Sequence, residues 1–299
     1  MAAEWEGKSR GTVLGYRIFV FCIKKFGVRA AYFLLYFVAF YFCFFSREGT
    51  RSIYYYFRRR RGYNGLKSVL SIYKSYYTFG QTIIDKVAIS AGLRDKFSYD
   101  FDGVDKLSQV LAEKKGGLLI SAHVGNFEIA QFFLNELEEN APINLLTTDK
   151  EHEAIKDYLD RISSKSQIKF ILYQDDFSHI FEIGAALSRN ELICITGDRY
   201  IKQTKYLEEN LLGKKAKFPA GPFLMGQKLK VPILFVYVMK EKNLHYHLYA
   251  RKVEAEDGDA RSILAHYVAS ISWILEKYPY QWFNYFDFWD VERKGSGLK

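Results

Sequence analysis

Three cysteines in 299 residues, at positions 22, 43 and 194, are too few and too far apart for a disulfide framework or a paired metal spacing. A reducing compartment suits such a body. Five prolines leave little scope for long extended linkers, and the chain has no internal repeat and no low-complexity tract. It also lacks a glycine-rich dinucleotide loop, a Walker-type loop and a Gly-x-Ser-x-Gly elbow, so a serine hydrolase is a weak reading. The histidines number six and are scattered. His245 and His247, two apart in an alternating segment, share one strand face and read as surface or half-buried strand residues, without the partner spacing of a metal site.

What is present is apolar and aromatic: 49% hydrophobic and 17% aromatic residues, enough for a full core in one or two domains. The net charge of +9 sits at one end. Residues 1–61 hold 12 Lys and Arg against three acids, and the remainder carries 31 of each sign. The body is electrically balanced, which disfavours nucleic acid as a partner and directs the basic end toward an anionic one.

Within that end, residues 30–46 read AAYFLLYFVAFYFCFFS, 17 positions without a charge, bracketed by Arg29 and Arg47. Aromatic rows recur every four residues (Tyr32, Tyr36, Phe40, Phe44 and Phe33, Phe37, Tyr41, Phe45), and Leu34, Leu35 and Val38 fill the other side. A helix apolar all round belongs in a core or in lipid. Its length is at the short limit for spanning, which takes ~20 residues. Positive charge at both ends gives no orientation and favours a helix dipped into one leaflet. The preceding residues 16–28 read as an interfacial amphipathic helix. The following Tyr-Tyr-Tyr-Phe-Arg-Arg-Arg-Arg, residues 54–61, has the composition of a headgroup interface. The expected organisation is a membrane-associated segment over residues 1–61 and an α/β body over 62–299. The alternative is a buried core helix with a solvated basic loop.

In the body, helical spacing covers residues 65–92, 127–137, 151–163, 177–189, 221–228 and 261–277. Short apolar runs mark strands at 118–122, 142–147, 169–173, 191–196, 231–239 and 244–253, the last two consecutive. Alternating strands and helices imply an α/β fold with a mixed, mainly parallel sheet flanked by helices, preceded by the hydrophobic anchoring segment.

The string Ser121-Ala-His123-Val-Gly-Asn126-Phe-Glu128 carries the candidate chemistry. His123 leaves the C-terminal end of a strand, the edge where open α/β sheets bind ligands. Asn126 is a plausible helix N-cap, and the Gly125-Asn126 turn can bring Glu128 back to the imidazole. A carboxylate on one ring nitrogen fixes the tautomer and equips the other as a base. A structural histidine satisfied by a capping glutamate fits the same spacing.

The H-x-x-x-x-E pattern at a strand-to-helix junction resembles the HX4D/E motif of glycerolipid-type acyltransferases. More specifically, the chain resembles the lipid A late-acyltransferase superfamily, the lauroyl/myristoyl-transferase-like proteins. Gly197-Asp198-Arg199 after a strand resembles that family's second block. Phe218-Pro-Ala-Gly-Pro-Phe223 with Val231-Pro-Ile resembles its third, and Tyr278-Pro-Tyr-Gln-Trp282 its C-terminal element. Where the family often continues with basic residues, residues 283–289 here read FNYFDFW.

The resemblance implies an acyltransferase that moves a fatty acyl chain from an acyl carrier protein or coenzyme A thioester to a hydroxyl or amine of a membrane lipid, in lipid A-type biosynthesis. His123 would be the general base and Glu128 its orienting partner. Asn126 would cap the helix and line the oxyanion or acceptor pocket, Arg199 would contact an anion with Asp198 orienting it, and Gly221 would shape a helix start. No metal and no cofactor beyond the thioester is implied. The expected place is a bacterial inner membrane, with the body on the cytoplasmic face. The aromatic, acidic departure at 283–289 raises an aminolipid or a polyene- or resorcinol-type acceptor, and a non-catalytic membrane scaffold on the same fold is the reading outside enzymology.

Overall fold

The computed structural model describes residues 21, 23, 25–130, 132, 142–147, 169–173, 178–201, 204–253 and 258–289, apart from the Glu128 side chain. The expected helix at 151–163 and most of the interfacial segment at 16–28 lie outside the described residues.

Seven strands form one sheet: β1 Ser98–Asp102, β2 Gly117–Ser121, β3 Ile143–Thr147, β4 Lys169–Leu172, β5 Leu192–Thr196, β8 Ile233–Lys240 and β9 His245–Lys252, in the order β1-β9-β8-β2-β5-β3-β4. Every pairing is parallel except β8 with β9. The sheet is therefore mixed and mainly parallel, as expected. A separate antiparallel hairpin joins β6 Tyr206–Leu211 to β7 Lys214–Pro219. β6, like β1, alternates exposed with half-buried residues, and β7 alternates buried Ala216 and Phe218 with polar or half-buried neighbours, so no apolar run marks these strands in the sequence.

The helices are α1 Val28–Phe45, α2 Arg47–Tyr55, α3 Gly65–Ala88, α4 Val104–Ala112, α5 Ser178–Ser188, α6 Ala220–Leu229 and α7 Ala260–Lys277. A π-helical turn, Tyr56–Arg60, follows α2. Asn64 caps α3 through the Lys67 amide at 2.8 Å, and Asp259 caps α7 through that of Ser262.

All five residues of β2 are buried, as a central strand covered on both faces requires. Leu118 and Ile120 join the cluster that holds Phe223 of α6 and Tyr267 and Ile271 of α7. Leu119, pointing the other way, meets the cluster of Leu107, Val110 and Leu111 from α4.

The N-terminal elements are built into this body. Ile53, Tyr56 and Phe57 share one apolar cluster with Ile120, Phe235 and Trp282, so the core runs across position 61 without a gap. Helix α1 packs one side, Ala31, Leu35 and Ala39, against α3. Gly80 makes the close approach possible, because a Cβ there would collide with the Leu35 side chain. The other side of α1 is bare: Phe33, Phe37, Phe40, Tyr41, Phe44 and Phe45 are all exposed, the last to 70%. The helix is therefore not the fully buried core helix of the alternative reading: one face is packed on protein, and its length and composition make it the candidate membrane anchor that was expected.

Candidate active site

β2 and β5 lie side by side, and the chain leaves their C-terminal ends in opposite directions along the sheet, toward β3 and toward β8. Such a switch point opens a crevice at the strand ends. His123 follows β2 there, and Asp198 follows β5.

The two meet directly. His123 Nδ1 lies 2.7 Å from Asp198 Oδ1, and the His123 amide donates to both carboxylate oxygens at 3.1 Å. The imidazole keeps 28% of its side-chain surface exposed, while Asp198 is fully buried. Burial alone would raise the Asp198 carboxyl. The charge and hydrogen bond of His123, the Arg199 charge and the Asn284 amide overcome that and hold it at about 2. An ionised carboxylate only accepts, so Nδ1 carries the proton, and Nε2 is the basic nitrogen of the neutral ring.

Asp198, expected to orient Arg199, bonds the imidazole and also faces the Arg199 charge. The arginine donates from Nε to Asn284 Oδ1 at 2.9 Å and from an Nη to the Phe283 carbonyl at 3.1 Å. Desolvation lowers Arg199 to about 10, which leaves it cationic at neutral pH. The Glu128 side chain lies outside the described residues, so its expected contact with His123 does too.

The Asn126 side chain makes no helix-capping bond. It is buried, and its Nδ2 donates to the Thr82 carbonyl of α3 at 2.9 Å. Beyond Asn126 the chain turns through a 3-10 helix, Phe127–Ile129. Gly221 stands in the first turn of α6 with open space where a Cβ would be. Because α6 runs back to the start of β8, its N-terminus faces the same edge of the sheet as His123.

The tight element is Gly125. Its φ of 66° and the Val238 carbonyl beside it exclude a side chain. The Asn126 amide bonds that carbonyl at 2.7 Å.

A strap without regular structure, 281–289, closes the site, and its role was not legible in the sequence. The Gly125 amide donates to the Gln281 carbonyl at 2.9 Å, and the Phe283 amide to the His123 carbonyl at 2.9 Å. Asn284 bridges the two polar centres: Nδ2 donates to Asp198 at 2.8 Å while Oδ1 accepts from Arg199. Trp282 Nε1 reaches Asp198 at 3.4 Å. Residues 283–289 thus pack against the core and, through Asn284, give Asp198 a second partner. The only signal for them was adjacency to the Gln281-Trp282 element.

Two polar groups hold the strand end itself. Ser121 Oγ donates to the Val236 carbonyl at 2.8 Å, and the Tyr267 hydroxyl to the Ser121 carbonyl at 2.7 Å. Among the described residues, no cluster of His, Cys, Asp and Glu could hold a metal ion. His245 and His247 sit half-buried on β9, beside Asp100 and Glu241 respectively.

No curated protein matches the chain. The family model for bacterial lipid A biosynthesis acyltransferases matches residues 70–287, a span from α3 through most of the closing strap. The chain belongs to the bacterial lipid A biosynthesis acyltransferase family, and with it to acyltransferases that act on lipid.

Proposed function

We propose that the protein transfers a fatty acyl chain from an acyl carrier protein or coenzyme A thioester to a hydroxyl or amine of a lipid A-type acceptor, with His123 as general base. The observation that carries this reading is the 2.7 Å contact between an imidazole that reaches the surface and a buried, ionised carboxylate, at the switch point of the sheet.

The chemistry rests on the tautomer. Nε2 takes the proton from the acceptor hydroxyl or amine as that group attacks the thioester carbonyl. The imidazolium formed is stabilised by Asp198. When the tetrahedral intermediate collapses, the C–S bond breaks and the imidazolium returns its proton to the leaving thiolate. Glu128 remains a proposed second carboxylate in this machinery. A scaffold would have no use for a buried carboxylate held ionised against a surface-reaching histidine.

The site works at a membrane in this reading. The bare aromatic face of α1 enters one leaflet of an anionic bilayer, and the exposed Arg47, Arg51, Arg58 and Arg59 just beyond it meet the headgroups. The opposite face of α1 is committed to α3, which favours a monotopic attachment over a span. The proposed place is the cytoplasmic face of a bacterial inner membrane, where acyl thioesters are available.

Lipid mass spectrometry of cells lacking the protein tests the function. The expected result is loss of one acyl chain from a lipid A species, restored by the wild-type gene and not by the His123→Ala variant. Restoration by His123→Ala overturns the assignment of the base, and loss of an acyl chain from a different lipid class overturns the acceptor.

A further inference from the structure

A buried polar network joins α1, α3, β8 and β9, and none of its groups takes or gives a proton in the proposed reaction. Lys240 of β8 and Asp85 of α3 form an ion pair at 2.7 Å, with side chains 5% and 0% exposed. The Tyr246 hydroxyl donates to Asp85 Oδ2 at 2.6 Å, and the Tyr32 hydroxyl of α1 donates to Oδ1.

The network has two ends. One is Tyr32, on the helix that carries the exposed aromatic face. The other is the loop that carries His123. Asn126 Nδ2 bonds the Thr82 carbonyl at 2.9 Å, one helical turn before Asp85, and reaches the Tyr246 hydroxyl at 3.5 Å. The Lys240 main chain exchanges two bonds with the Gln281 side chain, at 2.9 and 2.7 Å, and the Gln281 carbonyl holds the Gly125 amide at 2.9 Å.

Stability is a poor reason for this arrangement. Desolvating two charges costs about what their attraction returns, and apolar residues of similar volume serve as well or better. What an ion pair with hydrogen-bonded neighbours on both sides supplies is a single geometry.

We propose that Asp85, Lys240 and Tyr32 are positioning residues: they hold the Gly125-Asn126 turn, and through it His123, in register with a seated α1. Turnover then depends on α1 lying against α3, the same helix that meets the membrane. The inference rests on His123 being the base.

The test uses the full-length protein, a myristoyl thioester donor and a lipid A precursor in mixed micelles. In the Asp85→Leu/Lys240→Met double variant no charge is left unpaired. The expected result is a melting temperature within a few degrees of wild type, an unchanged KM for both substrates and a kcat lowered ~10-fold or more, since displacement of a base by ~1 Å is costly. A folded double variant with wild-type kcat overturns the proposal.

Tyr32→Phe keeps the ion pair and removes only the tie to α1, so it answers the question even if the double variant does not fold. Its kcat should fall several-fold while KM and binding to anionic vesicles stay the same. Wild-type kcat in Tyr32→Phe overturns the link to α1. His123→Ala separates the two readings: if it is inactive while both network variants match wild type, only this inference fails. If it is active, the base assignment fails first.

Discussion

At the scale of single residues, the site depends on what surrounds His123 rather than on its position alone. His123→Ala should lower kcat by ~10²–10⁴ while circular dichroism stays native-like, which steady-state assays and a spectrum decide together. Asp198→Asn should lower kcat by ~10²-fold or more, because the amide no longer enforces a proton on Nδ1. Glu128→Ala should cost no more than His123→Ala. If Glu128 and His123 work as a unit, the double variant loses no more than His123→Ala alone, whereas multiplied losses would show that they act separately. Gly125→Ala tests the backbone directly. A Cβ at φ 66° against the Val238 carbonyl should destabilise the protein by about 1–3 kcal/mol, read by chemical denaturation, and reduce activity in the fraction that folds.

At the scale of elements, the strap and α1 carry the consequences. Arg199 donates to Asn284 and to the Phe283 carbonyl, two bonds that tie the strap to the end of β5. Arg199→Ala should lower stability by about 1–3 kcal/mol through two charge-assisted hydrogen bonds. It should leave the KM for the thioester donor nearly unchanged. A selective rise in KM for donors bearing phosphopantetheine, with an unchanged melting temperature, would instead give the guanidinium to a donor phosphate. For α1, the two faces predict opposite phenotypes. Leu35→Ala, in the buried face, should destabilise by ~2–5 kcal/mol. Phe37→Asp with Phe44→Asp, on the exposed face, should leave the melting temperature alone and weaken binding to anionic vesicles. Because insertion of aromatic surface is not screened, high salt alone should not strip the protein from membranes, while detergent should. Release by salt alone would return the aromatic face to a protein partner.

At the scale of the whole molecule, two buried carboxylates make folding sensitive to acid. Asp198 is held at about 2 against an ordinary 3.8. Glu191 is held at about 2 against 4.5, first by its bond to Arg189 and then by Asn144 and Lys169. A folded value below the unfolded one means the unfolded chain binds protons first. The stability these groups contribute is complete above about pH 4.5 and is lost as pH falls toward 2. Equilibrium unfolding measured stepwise from pH 6 to 2 should show falling stability across that window, with a shallower slope in Glu191→Gln. A slope unchanged by that substitution would remove Glu191 from the account.

The sequence alone determined the layout that period and composition can express. Alternating apolar runs and amphipathic stretches gave the parallel α/β order, and the uncharged stretch between Arg29 and Arg47 gave α1 nearly to its ends, because its aromatics recur every four residues and the run is too long for a strand. His123 at a strand end was visible because the short apolar run of β2 stops just before it. Partners across the fold were not. Asp198 lies 75 positions from His123 and Asn284 lies 86 from Asp198, and nothing local distinguishes a carboxylate that will orient an imidazole from one that will pair with the arginine beside it. That choice is made by sheet order, which sets β5 against β2 and folds the strap over both. The half-bare state of α1 was decided the same way: its composition says that water is excluded, and only packing against Gly80 and the rest of α3 decides that protein does so on one side.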